Sequence, residues 1–393
     1  MVAGAGGKLA KQRIWPALFA LWDSERIESG AKVFALDPKF GNEQDLRQFV
    51  TTCLGQDRSM SAKRFMECLV RIPSIDAVEN HLSAGDEVLV HVATSTRHYG
   101  EVVEALKMSS ILNRCWLLFE KPIGHDETTA NGFIHSLREA FQEFPGDPDR
   151  RLFFVDHYLH KQVLDDLLKF RTHNQLVFAA WNGRAIDRVD ILMKEDELVP
   201  MDRWETYDQM GVIRDVIQSH GIMLLVLTAL SIPLKPTSEV IRAARASFLS
   251  GSAIIPSINN LVCGQYVGYS SDPESRTVTY ASVEFHVTDV NRWNETKFTI
   301  TAGKALNERR TSVVVTFRSP SVRWPVENAQ RGVVTIDLQP NAGISFDLMG
   351  LQAAERLTGE HHDSAGNEYV SVIRDALEGD HTLDLPRSDG HPR

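Results

Sequence analysis

Near its middle the chain reads Val155-Asp156-His157-Tyr158-Leu159-His160-Lys161. A carboxylate, two imidazoles, a phenol and an ammonium fall within seven consecutive positions. A carboxylate can orient an imidazole or pair with a cation. Imidazole, phenol and ammonium can all donate to the oxygens of a phosphate ester. The apolar run Leu152-Phe153-Phe154-Val155 before the cluster reads as a short strand, and apolar residues from Val163 to Phe170 recur at helical spacing. The cluster therefore sits where a strand hands over to a helix. A helix beginning at about Asp156 sets His157 and Lys161 on one face. Nitrogen donors beside the free N–H groups of a helix start make an anion site. Asp156 as a plain N-cap, with Lys161 a solvated charge, fits the same residues.

The elements that must position this cluster lie on both sides of it. Gly4-Ala5-Gly6-Gly7-Lys8-Leu9-Ala10, followed by a helical pattern from Lys11 to Trp22, is what a dinucleotide-binding turn looks like. Glycine lets the backbone approach a pyrophosphate, and the helix start meets its charge. Only Met1-Val2-Ala3 precede the glycines, so the first strand is expected to be short or missing; a glycine-rich tail fits these residues too. The second strand, Lys32 to Leu36, ends at Asp37. An acid there can accept from the ribose hydroxyls of NAD and repels the 2′-phosphate of NADP, or it caps a loop. Strands at Glu87–Ala93 and Trp116–Glu120, with a helix at Tyr99–Leu112 between them, predict a parallel α/β sheet up to about residue 155.

Beyond residue 170 the pattern changes. Leu176–Trp181 and Arg188–Lys194 read as strands with no helix between them. Tyr207–Leu230 reads as one long helix, polar in its first half and apolar enough in its second to be buried. Strand-like runs follow at 260–267, 277–287, 298–301, 311–317 and 332–338, which predicts a large, mainly antiparallel sheet. The tail after Asp380 is rich in Pro and polar residues and is expected to be loosely ordered.

The bulk numbers bound the function. A chain of 393 residues is long enough for two domains, and 43% apolar with 24% charged content is that of a globular protein. A net charge of -10 argues against nucleic acid as the main partner. Cys53, Cys68, Cys115 and Cys263 are scattered without metal-ligand spacing, so no zinc site or disulfide framework is expected. No secretory leader is expected, and the apolar run Ile222–Leu230 is too short to span a membrane.

Six motifs occur in one order between residues 120 and 309. They are Glu120-Lys121-Pro122, Asp156 to Lys161, Trp181-Asn182-Gly183-Arg184, Arg214-Asp215-Val216-Ile217-Gln218-Ser219-His220, Gly264-Gln265-Tyr266 and Gly303-Lys304-Ala305-Leu306-Asn307-Glu308-Arg309. In this the chain resembles the glucose-6-phosphate dehydrogenase family along nearly its whole length. The resemblance implies an α/β plus α+β chain. A Rossmann-type coenzyme domain over 1–155 is followed by a sugar-phosphate-binding β+α domain over 156–385. That second domain has a large mainly antiparallel sheet and helices on one face. It also implies oxidation of D-glucose 6-phosphate at C1 to 6-phosphoglucono-1,5-lactone. His220 matches the base, Asp156 its partner carboxylate, and Lys121 a residue between sugar and nicotinamide, with Pro122 in the cis form. His157, Tyr158 and Lys161 match the phosphate grip. Glu195 and Asp215 match carboxylates for sugar hydroxyls, and Lys304 and Arg309 basic residues of the same pocket. Gly4, Gly7, Lys8, Leu9, Asp37 and Lys121 fall on the coenzyme side.

The departures from the family pattern cluster on that coenzyme side. Lys8 stands where an Asp is usual, Asp37 where an Arg for the NADP 2′-phosphate is usual, and Thr94-Ser95 near the usual paired prolines. Phe154, His160, Gln162 and Ser219 also replace usual residues, and the C-terminal helices and second NADP site of the family are not expected. Asp37 favours NAD over NADP. A dehydrogenase of a related hexose phosphate and a catalytically impaired regulatory homologue are the other readings. Expected partners are the sugar phosphate and further copies of the chain, as a homodimer, a homotetramer or a mixed oligomer with a relative. Neither nucleic acid nor membrane is expected, and the expected compartment is the cytoplasm.

Overall fold

A computed structural model describes residues 1–28, 30–55, 59–124, 126–142, 148–232, 237–251, 253–269, 274–288, 293–319, 331–348, 351–353 and 367–380. The chain divides into two compact units, Met1–His160 with His362–Leu385, and Lys161–His361 with Pro386–Arg393.

In the first unit six strands among the described residues form a parallel sheet. They are β1 (Val2–Ala3), β2 (Val33–Leu36), β3 (Leu69–Arg71), β4 (Val88–Val92), β5 (Cys115–Glu120) and β6 (Leu152–Val155). Their spatial order is β3-β2-β1-β4-β5-β6, the doubly wound arrangement with its switch between β1 and β4. The first strand is short, as expected, yet it is central: Val2 pairs with Ala35 on one side and His91 on the other. A π-wound turn at Ala10–Ile14 leads into α1 (Trp15–Asp23). Helices α2 (Glu43–Cys53), α3 (Met60–Glu67), α4 (Tyr99–Lys107) and α5 (Glu127–Ala140) follow. Alternation along the strands builds two apolar layers. Leu117, Phe119, Leu152 and Phe154 join the β4 valines in one, while Leu118, Phe153 and Val155 join Trp15 and Leu21 of α1 in the other.

The second unit opens with α6 (Gln162–His173) and α7 (Gln175–Ala180), then β7 (Ile186–Lys194). Helix α8 (Trp204–Val212), a π-helix at Ile213–Gly221, α9 (Ile222–Ala229) and α10 (Ser238–Gly251) follow. The rest is β8 (Ala253–Gly264), β9 (Tyr280–Thr288), β10 (Lys297–Gly303), β11 (Arg310–Phe317), β12 (Val333–Gln339), β13 (Gly343–Leu348) and β14 (Leu351–Ala353). These strands order as β14-β13-β12-β11-β7-β10-β9-β8. Neighbours run antiparallel except β7 and β10, which are parallel. Buried and half-exposed residues alternate along β7, β10 and β12, so one face of the sheet carries the core.

Four sequence expectations change. Leu176–Trp181 is not a strand: the Asn174 side chain accepts from Leu176 N and Val177 N and starts α7, which leaves Leu176 exposed. No helix starts at Asp156. Residues 157–160 form turns, because Asp156 accepts from Tyr158 N through its side chain and from Leu159 N through its carbonyl. Lys161 is instead the N-cap of α6, so His157 and Lys161 share no helical face. The run Tyr207–Ala229 is, by length and composition, long and apolar enough to cross a membrane, although Met223–Ala229 are buried within protein. A backbone break at Gly211 (φ 58) interrupts it.

The last change concerns the domain boundary. Helix α11 (Glu368–Glu378) belongs to the first unit, whereas residues 156–385 were expected to form one domain. Its Tyr369, Val370, Val372, Ile373 and Ala376 are buried in the same layer as Ile14, Trp15 and Leu21. Asn367 Nδ2 also donates to Arg13 O at 2.8 Å. Residues 386–393 lie outside the described residues. If α11 is core, Ile373→Ala will lower stability by about 2–5 kcal/mol in urea denaturation. A loss below about 0.5 kcal/mol would mark the helix as surface decoration.

Candidate active site

The glycine turn after β1 is tightly built. Gly4 has φ +87°, and a Cβ there would lie 2.8 Å from Ala93 O at the end of β4. Gly7 N donates to Gly4 O at 3.0 Å, and the chain is helical from Lys8, which is exposed, with Leu9 packed against the core behind it. Asp37 follows β2 and braces this turn. Its Oδ2 accepts from Gly6 N at 2.8 Å and its Oδ1 from Lys39 N at 2.9 Å. Lys39 lies on the turn as well: its Nζ donates to Gly6 O at 3.3 Å, and its stem would touch a Cβ on Gly6. A left-handed glycine pressed on the neighbouring strand, free amides at a helix start and an acid at the end of β2 fit the pyrophosphate and ribose of a dinucleotide.

The ends of β5 and β6 gather four predicted residues. Lys121-Pro122 is cis, as expected. Lys121 Nζ donates to Asp156 Oδ2 at 2.5 Å, and Asp156 has no exposed surface. His157 and Tyr158 follow in the turn, their rings in contact. The His157 ring stacks on Tyr369 of α11, and Tyr369 stacks in turn on His91 of β4, with centroids 6.0 Å apart in each pair. The Tyr369 hydroxyl donates to Glu120 Oε2 at 3.1 Å, and His91 Nε2 lies 2.8 Å from Glu120 Oε1. Burial, then the Glu120 charge, raises the Tyr369 phenol far above its ordinary pKa, so it stays a donor. His160 is buried with Nδ1 3.2 Å from Asp375 Oδ2, off hydrogen-bond geometry.

Sequence reasoning missed Glu120, His91, Tyr369 and Lys39 as site residues. The signal for the first two was a charged or polar side chain inside a buried parallel strand, which needs a partner. Nothing near Tyr369 in sequence pointed to its partners.

In the second unit Glu195, just after β7, pairs with Lys304 at 2.6 Å. The loop after β10 makes this pair by folding back, with Leu306 N donating to Glu195 O and Ala305 N to Glu197 O. Ala305 takes a left-handed φ of 55° to do so. Arg309 is exposed and pairs with Glu197 at 3.3 Å. Asp215 and His220 both lie on the π-helix, where position i+5 sits one turn above i. The winding therefore brings them to one side, which an α-helix would not do. Gly221 seats this segment: a Cβ there would lie 2.9 Å from Ile300 Cγ2 of β10. Lys161, half-buried, heads α6.

Comparison with known proteins bears on both units. The family described as "Glucose-6-phosphate dehydrogenase, NAD binding domain" matches residues 1–166, and "Glucose-6-phosphate dehydrogenase, C-terminal domain" matches residues 168–389. The chain belongs to the glucose-6-phosphate dehydrogenase family. It is a dehydrogenase acting on a CH–OH group with a nicotinamide coenzyme. The cytoplasmic isoform of glucose-6-phosphate 1-dehydrogenase from Solanum tuberosum is 28% identical over 408 residues, covering 95% of this chain and 78% of the relative. The Bacillus subtilis glucose-6-phosphate 1-dehydrogenase is 25% identical over 432 residues, covering 97% and 86%. A solved glucose-6-phosphate dehydrogenase, in complex with its substrate glucose-6-phosphate, superposes with a TM-score of 0.84 at 26% identity over 99% of this chain and 87% of that one.

The Lys121–Asp156 pair has a measurable consequence in this family member. Lys121→Met removes a cation from a buried carboxylate and is expected to cost about 3 kcal/mol of folding stability at pH 7, read by chemical denaturation. An unchanged midpoint would mean that the ammonium is not what neutralises Asp156.

Proposed function

We propose that the protein oxidises D-glucose 6-phosphate at C1 to 6-phosphoglucono-1,5-lactone, using NAD in preference to NADP. The observation that carries this reading is the six motifs kept in family order in a chain that matches both domains of the family. A related structure was solved with glucose-6-phosphate as its substrate. When bound, the nicotinamide accepts the hydride from C1.

The chain's own residues take the remaining tasks. His220 accepts the C1 hydroxyl proton, as a neutral imidazole can near pH 7. Asp156 is the carboxylate that favours the imidazolium so formed. Lys161, His157 and Tyr158 supply one ammonium and two ring donors to the phosphate dianion. Glu195 and Asp215 accept from sugar hydroxyls, Lys121 orients the reacting end, and Lys304 and Arg309 add positive charge. Gly4 and Gly7 shape the turn that lets the pyrophosphate approach, Lys8 and Leu9 present backbone amides to it, and Asp37 has lone pairs left for a ribose hydroxyl. A homodimer or homotetramer in the cytoplasm belongs to the same proposal, in keeping with a relative named as a cytoplasmic isoform.

A second reading of the coenzyme is NADP. The Lys39 ammonium beside the glycine turn favours it, since a cation there can meet a 2′-phosphate. Absorbance of reduced nicotinamide at saturating glucose 6-phosphate, with NAD and NADP in parallel, decides between them. NAD is expected to be the better substrate. An NADP preference abolished by Lys39→Ala would reverse the assignment. No reduction with either, while calorimetry still shows sugar-phosphate binding, would make the protein a catalytically impaired homologue.

His220→Ala is expected to lower kcat by about 10²–10⁴ with little change in KM; a matched rise in KM would make His220 structural. Lys161→Ala is expected to raise KM for the sugar phosphate about 10- to 100-fold. An unaltered KM removes Lys161 from the phosphate.

A further inference from the structure

The second unit holds a buried hydroxyl that no atom of the described residues satisfies. Tyr207 lies on α8 and is 5% exposed. Its ring packs on Tyr269, with centroids 5.9 Å apart, in a cluster with Val199, Trp204 and Tyr266. The other polar atoms of this cluster are paired. Tyr269 donates to Asp208 Oδ1 at 2.7 Å, Tyr266 accepts from Val199 N at 3.1 Å, and Trp204 Nε1 donates to Val199 O at 3.1 Å. Among the described residues the Tyr207 hydroxyl has no hydrogen-bond partner. Leaving a buried hydroxyl unpaired is costly, and a phenylalanine would avoid the cost.

The cluster adjoins the Glu195–Lys304 pair, since Tyr266 N donates to Thr279 Oγ1 and Lys304 N to Thr279 O, each at 2.9 Å, and the carboxylates of Asp215 and Glu195 are among the charges that act on the hydroxyl. With burial as the larger cause, they hold the phenol above its ordinary pKa, so it remains protonated and able to donate. Asp215 and Glu195 are the two groups assigned above to sugar hydroxyls. A carboxylate is acceptor-only, so it accepts a hydrogen bond from a sugar hydroxyl and leaves that oxygen's lone pairs unmet. A neutral phenol in a cluster that adjoins the Glu195–Lys304 pair is a donor of the kind that is missing.

We propose that the Tyr207 hydroxyl donates to a ring hydroxyl of the hexose phosphate, completing the set begun by Asp215 and Glu195 and making Tyr207 a determinant of sugar specificity. This rests on the function proposed above. Selectivity follows because a hydrogen-bonding group left unpaired by the wrong sugar penalises that sugar.

The test compares the unaltered protein with Tyr207→Phe on glucose 6-phosphate and on its 2-deoxy, 3-deoxy and 4-deoxy analogues. The variant is expected to lose about tenfold in kcat/KM on glucose 6-phosphate, with Tm unchanged or raised. On the one analogue lacking the partner hydroxyl the two proteins should be equal. Equal activity on glucose 6-phosphate, or the same loss on every analogue, overturns the proposal. Fluorotyrosine at position 207 gives a reading that needs no Phe variant. Its fluorine resonance should shift on adding glucose 6-phosphate and not on adding inorganic phosphate, and no shift overturns the proposal. An unaltered protein that neither binds nor oxidises glucose 6-phosphate sinks the proposed function and this inference together. Turnover by the unaltered protein with an indifferent variant sinks this inference alone.

Discussion

Asp156 carries a charge with no exposed surface, and the first unit's chemistry hangs on how that charge is met. Taking a carboxylate out of water costs several kcal/mol, so it stays only where cations and donors replace the water. Among them here are the Lys121 ammonium at 2.5 Å and Tyr158 N–H at 3.0 Å. Lys121 follows β5 and Asp156 follows β6, whose register pairs Glu120 with Val155. The ion pair therefore ties the ends of two parallel strands. Asp156 also shapes the turn that presents His157. The residue before Lys121, Glu120, holds the hydroxyl of Tyr369, and Tyr369 stacks on His157. Five side chains on two strand ends and one helix thus constrain each other in a closed circuit, and α11 closes it.

The same logic governs the glycine turn. Asp37 accepts from Gly6 N–H and Lys39 N–H, so its carboxylate shapes the turn as well as facing outward. A negative and a positive side chain lie side by side at the end of β2, and each favours a different coenzyme. Charge sign at one sequence position is therefore a weaker guide to coenzyme than the summed field of Asp37 and Lys39.

In the second unit the positioning device is a helix wound out of its usual period. The π-segment Ile213–Gly221 sets Asp215 and His220 one turn apart, and Gly221 lets it rest on Ile300. The break at Gly211 frees α8 to take its own course, which buries Tyr207 among aromatic rings. Glu195 reaches the same region from the end of β7 and is held by Lys304.

Much of the fold was legible because hydrophobic period is a local property. Runs such as Val88–Val92 and Val333–Gln339 show their strand character without partners. The turn glycines were legible for the same reason, since Gly4 acts through its own backbone, whereas the cis form of Pro122 was implied by the family resemblance. Leu176–Ala180 was misread because its aromatic and branched residues suggest a strand, while one cap from Asn174 makes it a helix. The motif order determined the family and the candidate residues. What only tertiary structure decided were pairings between residues far apart in sequence: Lys121 with Asp156, Glu195 with Lys304, Tyr369 with Glu120 and His157. A buried charge or hydroxyl must find its partner wherever folding brings one, and that distance in sequence follows no period.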